Sequence, residues 1–146
     1  MNYENVLVDI VAENVGEITL NRPKNLNTFS LPLARELNHA LLDLDARSDV
    51  RTIVIKGAGK AFCAGIDVSD FFGKTAMEYK EWIETMETPL VNMSRMKKPI
   101  IAQVHGVAAA NGAGLVAAAD LAVMAEGSRF GLTAINVGLN CIGPIQ

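Results

Sequence analysis

Cysteine, histidine, aromatic rings and clustered positive charge are all scarce in this sequence. The two cysteines, Cys63 and Cys141, lack C-x-x-C spacing. That excludes a disulfide scaffold and a zinc knuckle and points to buried thiols in a reducing compartment. Phe, Trp and Tyr make up 5% of the residues, too few for a base-stacking platform. Net charge is −3, and the basic pair Lys97–Lys98 reads as cover for a solvated helix end. Neither gives a footprint for nucleic acid or an anionic membrane. The start, Met1 to Asn5, has no basic and apolar leader pattern, so no signal peptide is expected. Pro99 to Ala119 carries no charge but contains Gln103, His105, Asn111 and a run of small residues. Polar groups at that depth argue against a membrane span and for a buried strand, a loop and a buried helix. The expectation is a cytoplasmic protein.

What the chain does have is apolar pattern. Half of its 146 residues are hydrophobic, enough for one domain with a real core. Val6–Ile10 and Val15–Leu20 read as a hairpin of strands, and Asn21-Arg22-Pro23-Lys24-Asn25 as a turn that ends it. Ser30 is an N-cap candidate for a helix with Leu33, Leu37, Ala40, Leu41 and Leu44 on one face and His39 on the solvated side. Thr52–Lys56 is a β-branched buried strand. Thr75 and Glu78 have capping-box spacing at the head of a second helix running toward Met96, with a bend expected at Pro89 and an apolar stripe of Trp82, Met86, Leu90 and Met93. Ile100–Val104 is a strand, Gly112–Ala119 a short helix and Leu121–Ala125 a further strand. This alternation predicts an α/β fold with a mainly parallel sheet.

Three nucleotide and hydrolase signatures fail. Gly57-Ala58-Gly59-Lys60 lacks the first glycine and the hydroxyl residue of a phosphate loop, having Val54 and Ala61 there. Seven residues separate Val104 from Gly112-Ala113-Gly114, too many for a dinucleotide turn. No G-x-S-x-G elbow or metal-spaced cluster is present.

Two segments share a design: Gly59 to Val68, and His105 to Leu115. Each leaves a buried strand, passes through small residues and opens a short helix. Small residues admit a ligand close to the backbone, and N–H groups at a helix start point into the gap. Side by side, two such turns would offer two N–H donors to one oxygen, as an oxyanion hole does. Close helix–sheet packing with no ligand is the equal alternative.

Lys60-Ala61-Phe62-Cys63-Ala64-Gly65-Ile66-Asp67 resembles the A-F-C-A-G-x-D-L signature of the crotonase (enoyl-CoA hydratase/isomerase) superfamily. Asn21-Arg22-Pro23 with Asn27 is similar to its N-R-P-x-x-x-N turn, and Lys98-Pro99-Ile100-Ile101-Ala102 with Gly106 to its K-P-x-I-A-x-x-x-G. Asp120-Leu121-Ala122 resembles the family's D-hydrophobic-A strand, and Phe130-Gly131 and Gly138-Leu139 fit the segment beyond that strand. The resemblance implies a spiral of ββα repeats with two roughly perpendicular sheets, and an acyl-CoA thioester ligand with CoA as part of the substrate and no resident cofactor. It implies that the backbone N–H groups of Ile66 and Asn111 hold the thioester oxygen as an enolate forms. Ala64, Ile66, Asp67, Val68 and Ser69 match the CoA path, Lys24, Asn25 and Leu26 a loop near the pantetheine and adenine, and Gly112, Thr133 and Ala134 further substrate contacts. Asp67 is expected to fix its turn rather than act as an acid, and His105 to be structural.

The departures are at the acid/base positions. The two hydratase glutamates correspond to Gly114 and Ala134, and the isomerase carboxylate to Ile142. A subgroup resembling naphthoyl-CoA synthases borrows bicarbonate beside a Q-T-G stretch, which Leu132-Thr133-Ala134 partly resembles; its aspartate corresponds to Cys141. Asn111, Thr133, Asn136, Asn140 and Cys141 are the polar candidates nearby, with Asn140 and Cys141 carried forward as catalytic candidates. A non-catalytic acyl-CoA binder or degenerate crotonase-fold protein is the second reading. Family members usually run longer and end in a helical region that covers the acyl site and builds trimers. Residues 1–146 are therefore expected to be a crotonase-like core truncated at its C-terminus, from a homotrimeric or hexameric full-length form.

Overall fold

Strand β1 (Val6–Ala12) turns at Asn14, φ 63°, into β2 (Val15–Leu20), and the two pair antiparallel with Val8 opposite Ile18. Asparagine tolerates that left-handed backbone because its short side chain can bond locally. The computed structural model describes residues 3–70 and 72–133. From β2 onward every pairing in this five-stranded sheet is parallel. Strand β3 (Thr52–Gly57) sets Ile55 against Ile18, β4 (Ile100–Val104) sets Ala102 against Ile55, and β6 (Leu121–Met124) sets Ala122 against Ala102. One residue row thus crosses all five strands, and its central members Ile18, Ile55 and Ala102 are buried. A parallel neighbour needs a crossover, and helices supply it.

Helix α1 (Leu31–Ala46) starts where Ser30 accepts the Leu33 N–H and turns Leu33, Leu37, Ala40, Leu41 and Leu44 into the core. Lys97 and Lys98 do sit at a helix end, that of α1. The Lys98 ammonium donates to the Leu44 and Arg47 carbonyls, and both backbone N–H groups donate to Asp45. A cation there complements the helix dipole. Helix α2 (Ala76–Met93) carries the Thr75–Glu78 capping box in full and buries Trp82, Met86, Leu90 and Met93. It ends three residues before the expected Met96, and Pro89 lies inside it without terminating it. Asn92 joins it to Asn38 of α1 at 2.7 Å. Helix α3 (Asn111–Ala118) begins one residue earlier than expected.

The second sheet that the resemblance implies is present, although no apolar pattern marks its strands. Strands β5 (Val107–Ala109) and β7 (Arg129–Gly131) pair in parallel. Isolated parallel bridges extend the stack, Cys63 to Ala108 and Phe29 to Ile66. The segments around 29, 63–66, 107–109 and 129–131 therefore lie in sequence order, as β2, β3, β4 and β6 do in the large sheet. Each of β2, β3, β4 and β6 feeds a short member of the small stack several residues later, which is the spiral repeat. Three-residue strands are too short for hydrophobic alternation to reveal. The uncharged run 99–119 resolves into β4, β5 and α3, and no helix among the described residues is long and apolar enough to cross a membrane.

Candidate functional site

The site is assembled by three turns that come after β2, β3 and β4. The first is tied by Asn27, which is fully buried at φ 54°. Its Nδ2 donates to the carbonyls of Ala58 and Ala61, each at 2.8 Å, and its Oδ1 accepts the Arg22 N–H at 2.8 Å. One carboxamide so joins the turn after β2 to the turn after β3. Lys24 and Asn25 lie on the short 3-10 turn Pro23–Asn25 and Leu26 comes next, all three exposed. Asn21, Arg22, Pro23, Lys24 and Asn25 line a surface pocket of about 400 Å³. Leu26 is joined to the second turn, because its carbonyl accepts the Ala64 N–H at 3.0 Å.

In the second turn the hydrogen bonds change sides. The Cys63 N–H and carbonyl face β5, bonded to the Val107 carbonyl and the Ala109 N–H at 3.0 Å each. Ala64 faces the opposite way, toward Leu26. Regular alternation would return Gly65 to the β5 side. Instead the Gly65 carbonyl accepts from Phe29 N at 2.7 Å, and Asp67 N donates to the Phe29 carbonyl at 2.9 Å. The Ile66 N–H between them is thereby turned away from Phe29, toward β5 and α3. Gly65 makes the switch with φ 125°, open to glycine and strained for other residues.

The third turn supplies the second donor. Counting from the Cys63–Ala108 bridge in parallel register, Gly65 falls opposite Ala110 and Ile66 opposite Asn111. A methyl placed on Gly65 would lie 3.6 Å from the Ala110 Cβ, so the register holds to that point. Ala110 N donates to the Gly131 carbonyl, while Asn111 is the first residue of α3 and its N–H has no acceptor within the helix. Ala110 turns the chain with φ 46° and ψ −114°, a conformation costly for alanine and of the kind found at functional sites. The count from the Cys63–Ala108 bridge brings Ile66 and Asn111 to matching positions at the ends of the second and third turns. The positive end of α3 falls at Asn111. Gly112 makes the approach possible, since a Cβ there would lie 2.2 Å from the Cys63 carbonyl oxygen.

Titratable groups around the gap are committed. Asp67 Oδ2 pairs with the Arg22 guanidinium at 2.7 Å, and Oδ1 accepts from Ser69 N at 3.2 Å and Ser69 Oγ at 2.6 Å. Partial burial works against the ionised form, but these Ser69 and Arg22 hydrogen bonds prevail and hold its carboxyl below the usual range. Asp67 is therefore an ionised turn-fixing group at neutral pH. Val68 and Ser69 are exposed on the next 3-10 turn. Burial pushes the Cys63 thiol up to about 12. His105 bonds through Nε2 to the Gly59 carbonyl at 2.9 Å. Gly114 offers no side chain, and a Cβ there would meet Leu90 Cδ2 at 2.9 Å. Thr133 is exposed. Ala134, Asn136, Asn140, Cys141 and Ile142 lie outside the described residues. Among those described, no group of three or more His, Cys, Asp or Glu is placed to hold a metal.

Sequence reasoning missed the Asn27 latch, the Arg22–Asp67 pair and the placement of Leu90 against Gly114. Arg22, Asn27 and Asp67 all stand in the recognised motifs, so their presence was visible and their partners were not.

A parallel sheet whose strands feed a second stack of short parallel segments defines a crotonase-type fold. Residues 11–142 match the family model for enoyl-CoA hydratase/isomerase, and the chain belongs to that family. It is 28% identical over 148 residues to a peroxisomal Delta(3,5)-Delta(2,4)-dienoyl-CoA isomerase of Arabidopsis thaliana, covering 90% of this chain and 53% of that one. It is 37% identical over 131 residues to a mevalonyl-coenzyme A hydratase of Beauveria bassiana, covering 84% and 46%. The crystal structure of an enoyl-CoA hydratase from Bacillus anthracis superposes with a TM-score of 0.88 at 30% identity, covering 94% of this chain and 54% of that one. The chain spans about half the length of these relatives.

Proposed function

We propose that the chain binds an acyl-CoA thioester and stabilises its enolate between the Ile66 and Asn111 N–H groups. What supports this reading is the parallel count from the Cys63–Ala108 bridge, which pairs Ile66 with Asn111, and the absence of a backbone acceptor for either N–H among the described residues. A thioester oxygen gains negative charge as the α proton leaves, and fixed donors in a water-poor gap stabilise that charge. Each such donor typically lowers a barrier by about 3–4 kcal/mol. Lys24, Asn25 and Leu26, with Ala64, Ile66, Asp67, Val68 and Ser69, are the proposed contacts of the CoA portion, supported by the Ala64 N–H bond to the Leu26 carbonyl that joins the two turns. Gly112, Thr133 and Ala134 complete the proposed contacts. The reading includes CoA only as part of the substrate, assembly as a homotrimer or hexamer, and a cytoplasmic location; fractionation against peroxisomal and mitochondrial markers decides the last.

The proton-transfer group is not among the committed side chains near the gap. Gly114 can move no proton, Cys63 stays protonated, and Asp67 is held by Arg22 and Ser69. Asn140 and Cys141 remain proposed contributors, and bicarbonate a proposed external base. Hydration of crotonyl-CoA and enoyl isomerisation, each assayed with and without added bicarbonate, test the enzymatic reading. Turnover on either substrate supports it; tight ester binding without turnover on any acyl chain overturns its catalytic part.

Leu90 against Gly114 favours the second reading, an acyl-CoA binder, because the space beside a catalytic carboxylate position is filled. The triple variant Leu90→Ala, Gly114→Glu, Ala134→Glu distinguishes the two. Hydratase activity that appears only in the variant supports the binder; activity already present in the unaltered chain refutes it.

A further inference from the structure

Arg22 joins the first turn to the second by its side chain. Its Nη1 donates to the Thr28 carbonyl, and its Nη2 bonds Asp67 Oδ2 at 2.7 Å. The two side chains are 19% and 13% exposed, so salt screens this pair less than one in open water. Asp67 has little slack, because Ser69 N and Oγ hold its other oxygen. Arg22 is fixed at its base as well, where its N–H donates to the buried Asn27 carboxamide. The guanidinium thus spans from the residue before Phe29 to the residue after Ile66. Between those two points lie the bonds that turn the Ile66 N–H, Phe29 N to the Gly65 carbonyl and Asp67 N to the Phe29 carbonyl. The guanidinium bonds end at Thr28 and Asp67, so they reach Ile66 only through its neighbours.

We infer that Arg22 is a positioning residue: its two-point hold on Thr28 and Asp67 keeps the Ile66 N–H aimed at the thioester oxygen. This rests on the acyl-CoA reading. The fork of the guanidinium matters here, and its charge alone does not suffice. Two different nitrogens of one rigid plane meet the Thr28 carbonyl and the Asp67 carboxylate. Lysine offers a single ammonium, which can pair with Asp67 but cannot span both acceptors in the same way. A purely electrostatic role makes the opposite demand. Arg22 also lines the surface pocket of residues 21–25, and either cation there draws in an anionic ligand. Lysine at position 22 therefore separates the two roles.

The test compares butyryl-CoA with S-butyl-CoA, a thioether that lacks only the carbonyl oxygen. Both are titrated calorimetrically into the purified chain and into its Arg22→Lys and Arg22→Gln variants. The ratio of the two affinities is read within each protein, so a change common to both ligands cancels. The parent is expected to favour the thioester about tenfold, the worth of one or two net hydrogen bonds. In both variants, lysine included, the ratio is expected to fall to within about threefold of unity. Circular dichroism identifies a variant that fails to fold, and lysine, which keeps the stem and the charge, carries the test where glutamine does not fold. A thioester preference that survives undiminished in either folded variant overturns this inference and leaves the acyl-CoA reading standing. A parent that binds the two ligands equally overturns the inference together with the proposed role of the Ile66 and Asn111 amides. Binding of neither ligand overturns the acyl-CoA reading as a whole.

Discussion

Asn27 gives the sharpest test of how the site is held. Replacing it with alanine removes three hydrogen bonds at once: two donated to the Ala58 and Ala61 carbonyls and one accepted from the Arg22 N–H. The residue is fully buried, so water does not replace them freely. At about 1 kcal/mol net per bond the loss is about 3 kcal/mol. Alanine at φ 54° adds about 1 kcal/mol of backbone strain that asparagine largely escapes. The expected total of about 4 kcal/mol is a large share of the roughly 5–15 kcal/mol typical of a domain. Urea unfolding followed by circular dichroism reads it as a lower midpoint at unchanged slope.

The isosteric change Asn27→Asp separates this account from simple packing. Aspartate keeps the acceptor for Arg22 but aims its other oxygen at two carbonyl oxygens. It is therefore expected to cost more than alanine at neutral pH, despite its closer shape. Burial and the facing carbonyls raise its native pKa above the unfolded value near 4. The native state then binds the extra proton, so the deficit relative to the parent shrinks as the pH is lowered toward that range. A cost below about 1 kcal/mol for alanine, or a milder aspartate than alanine, refutes the latch.

Three further outcomes are expected from the same geometry. Gly112→Ala places a methyl against the Cys63 carbonyl and is expected to cost about 2–3 kcal/mol and to weaken acyl-CoA binding by separating the two amides; an unchanged thermal midpoint with unchanged affinity contradicts this. Asp67→Asn removes a carboxylate whose native pKa is lowered, so the parent's advantage should be present above the free carboxyl value of about 4 and vanish as pH falls through the lower native value; a pH-independent difference in stability refutes the assignment. With a pKa of about 12, Cys63 has a thiolate fraction on the order of 10⁻⁴ at pH 8, so mass-mapped alkylation should leave it unmodified until the chain unfolds.

The elements that carry periodicity were legible. The large-sheet strands, α1 and α2 can be read from apolar spacing, and Ser30 and the Thr75–Glu78 pair from the chemistry of helix starts. The small stack was implied by the family resemblance but not by apolar spacing, because β5 and β7 are three residues each and are defined by hydrogen bonds to distant segments. The same limit applies to the site. Glycine-rich turns were visible as turns, but the opposition of Ile66 and Asn111 is a matter of register between segments 45 residues apart. Asn27 stood in the sequence as the end of a motif, with partners 31 and 34 residues away that only folding reveals.

The two halves of the proposed chemistry reside at different structural levels, which is why one can persist without the other. The paired amides are backbone groups. Their direction is set by the φ of Gly65 and Ala110, by the contact at Gly112 and by the Asn27 tie, so no side chain at position 114 affects them. A proton-transferring carboxylate is a single side chain at a single position, and its loss leaves a void that neighbours can fill. Leu90 is 1% exposed, with its tip 2.9 Å from where a Gly114 Cβ would be. A glutamate there meets that buried leucine tip, which must shift before the side chain can reach the gap. On the proposed reading the backbone frame can still polarise a thioester carbonyl. The residue that completes a reaction has to come from Asn140, Cys141, a bound anion or a group beyond this set. A Gly114→Glu substitution made alone should therefore lower stability without conferring turnover, and should do both less harm and more chemistry once Leu90 is reduced to alanine.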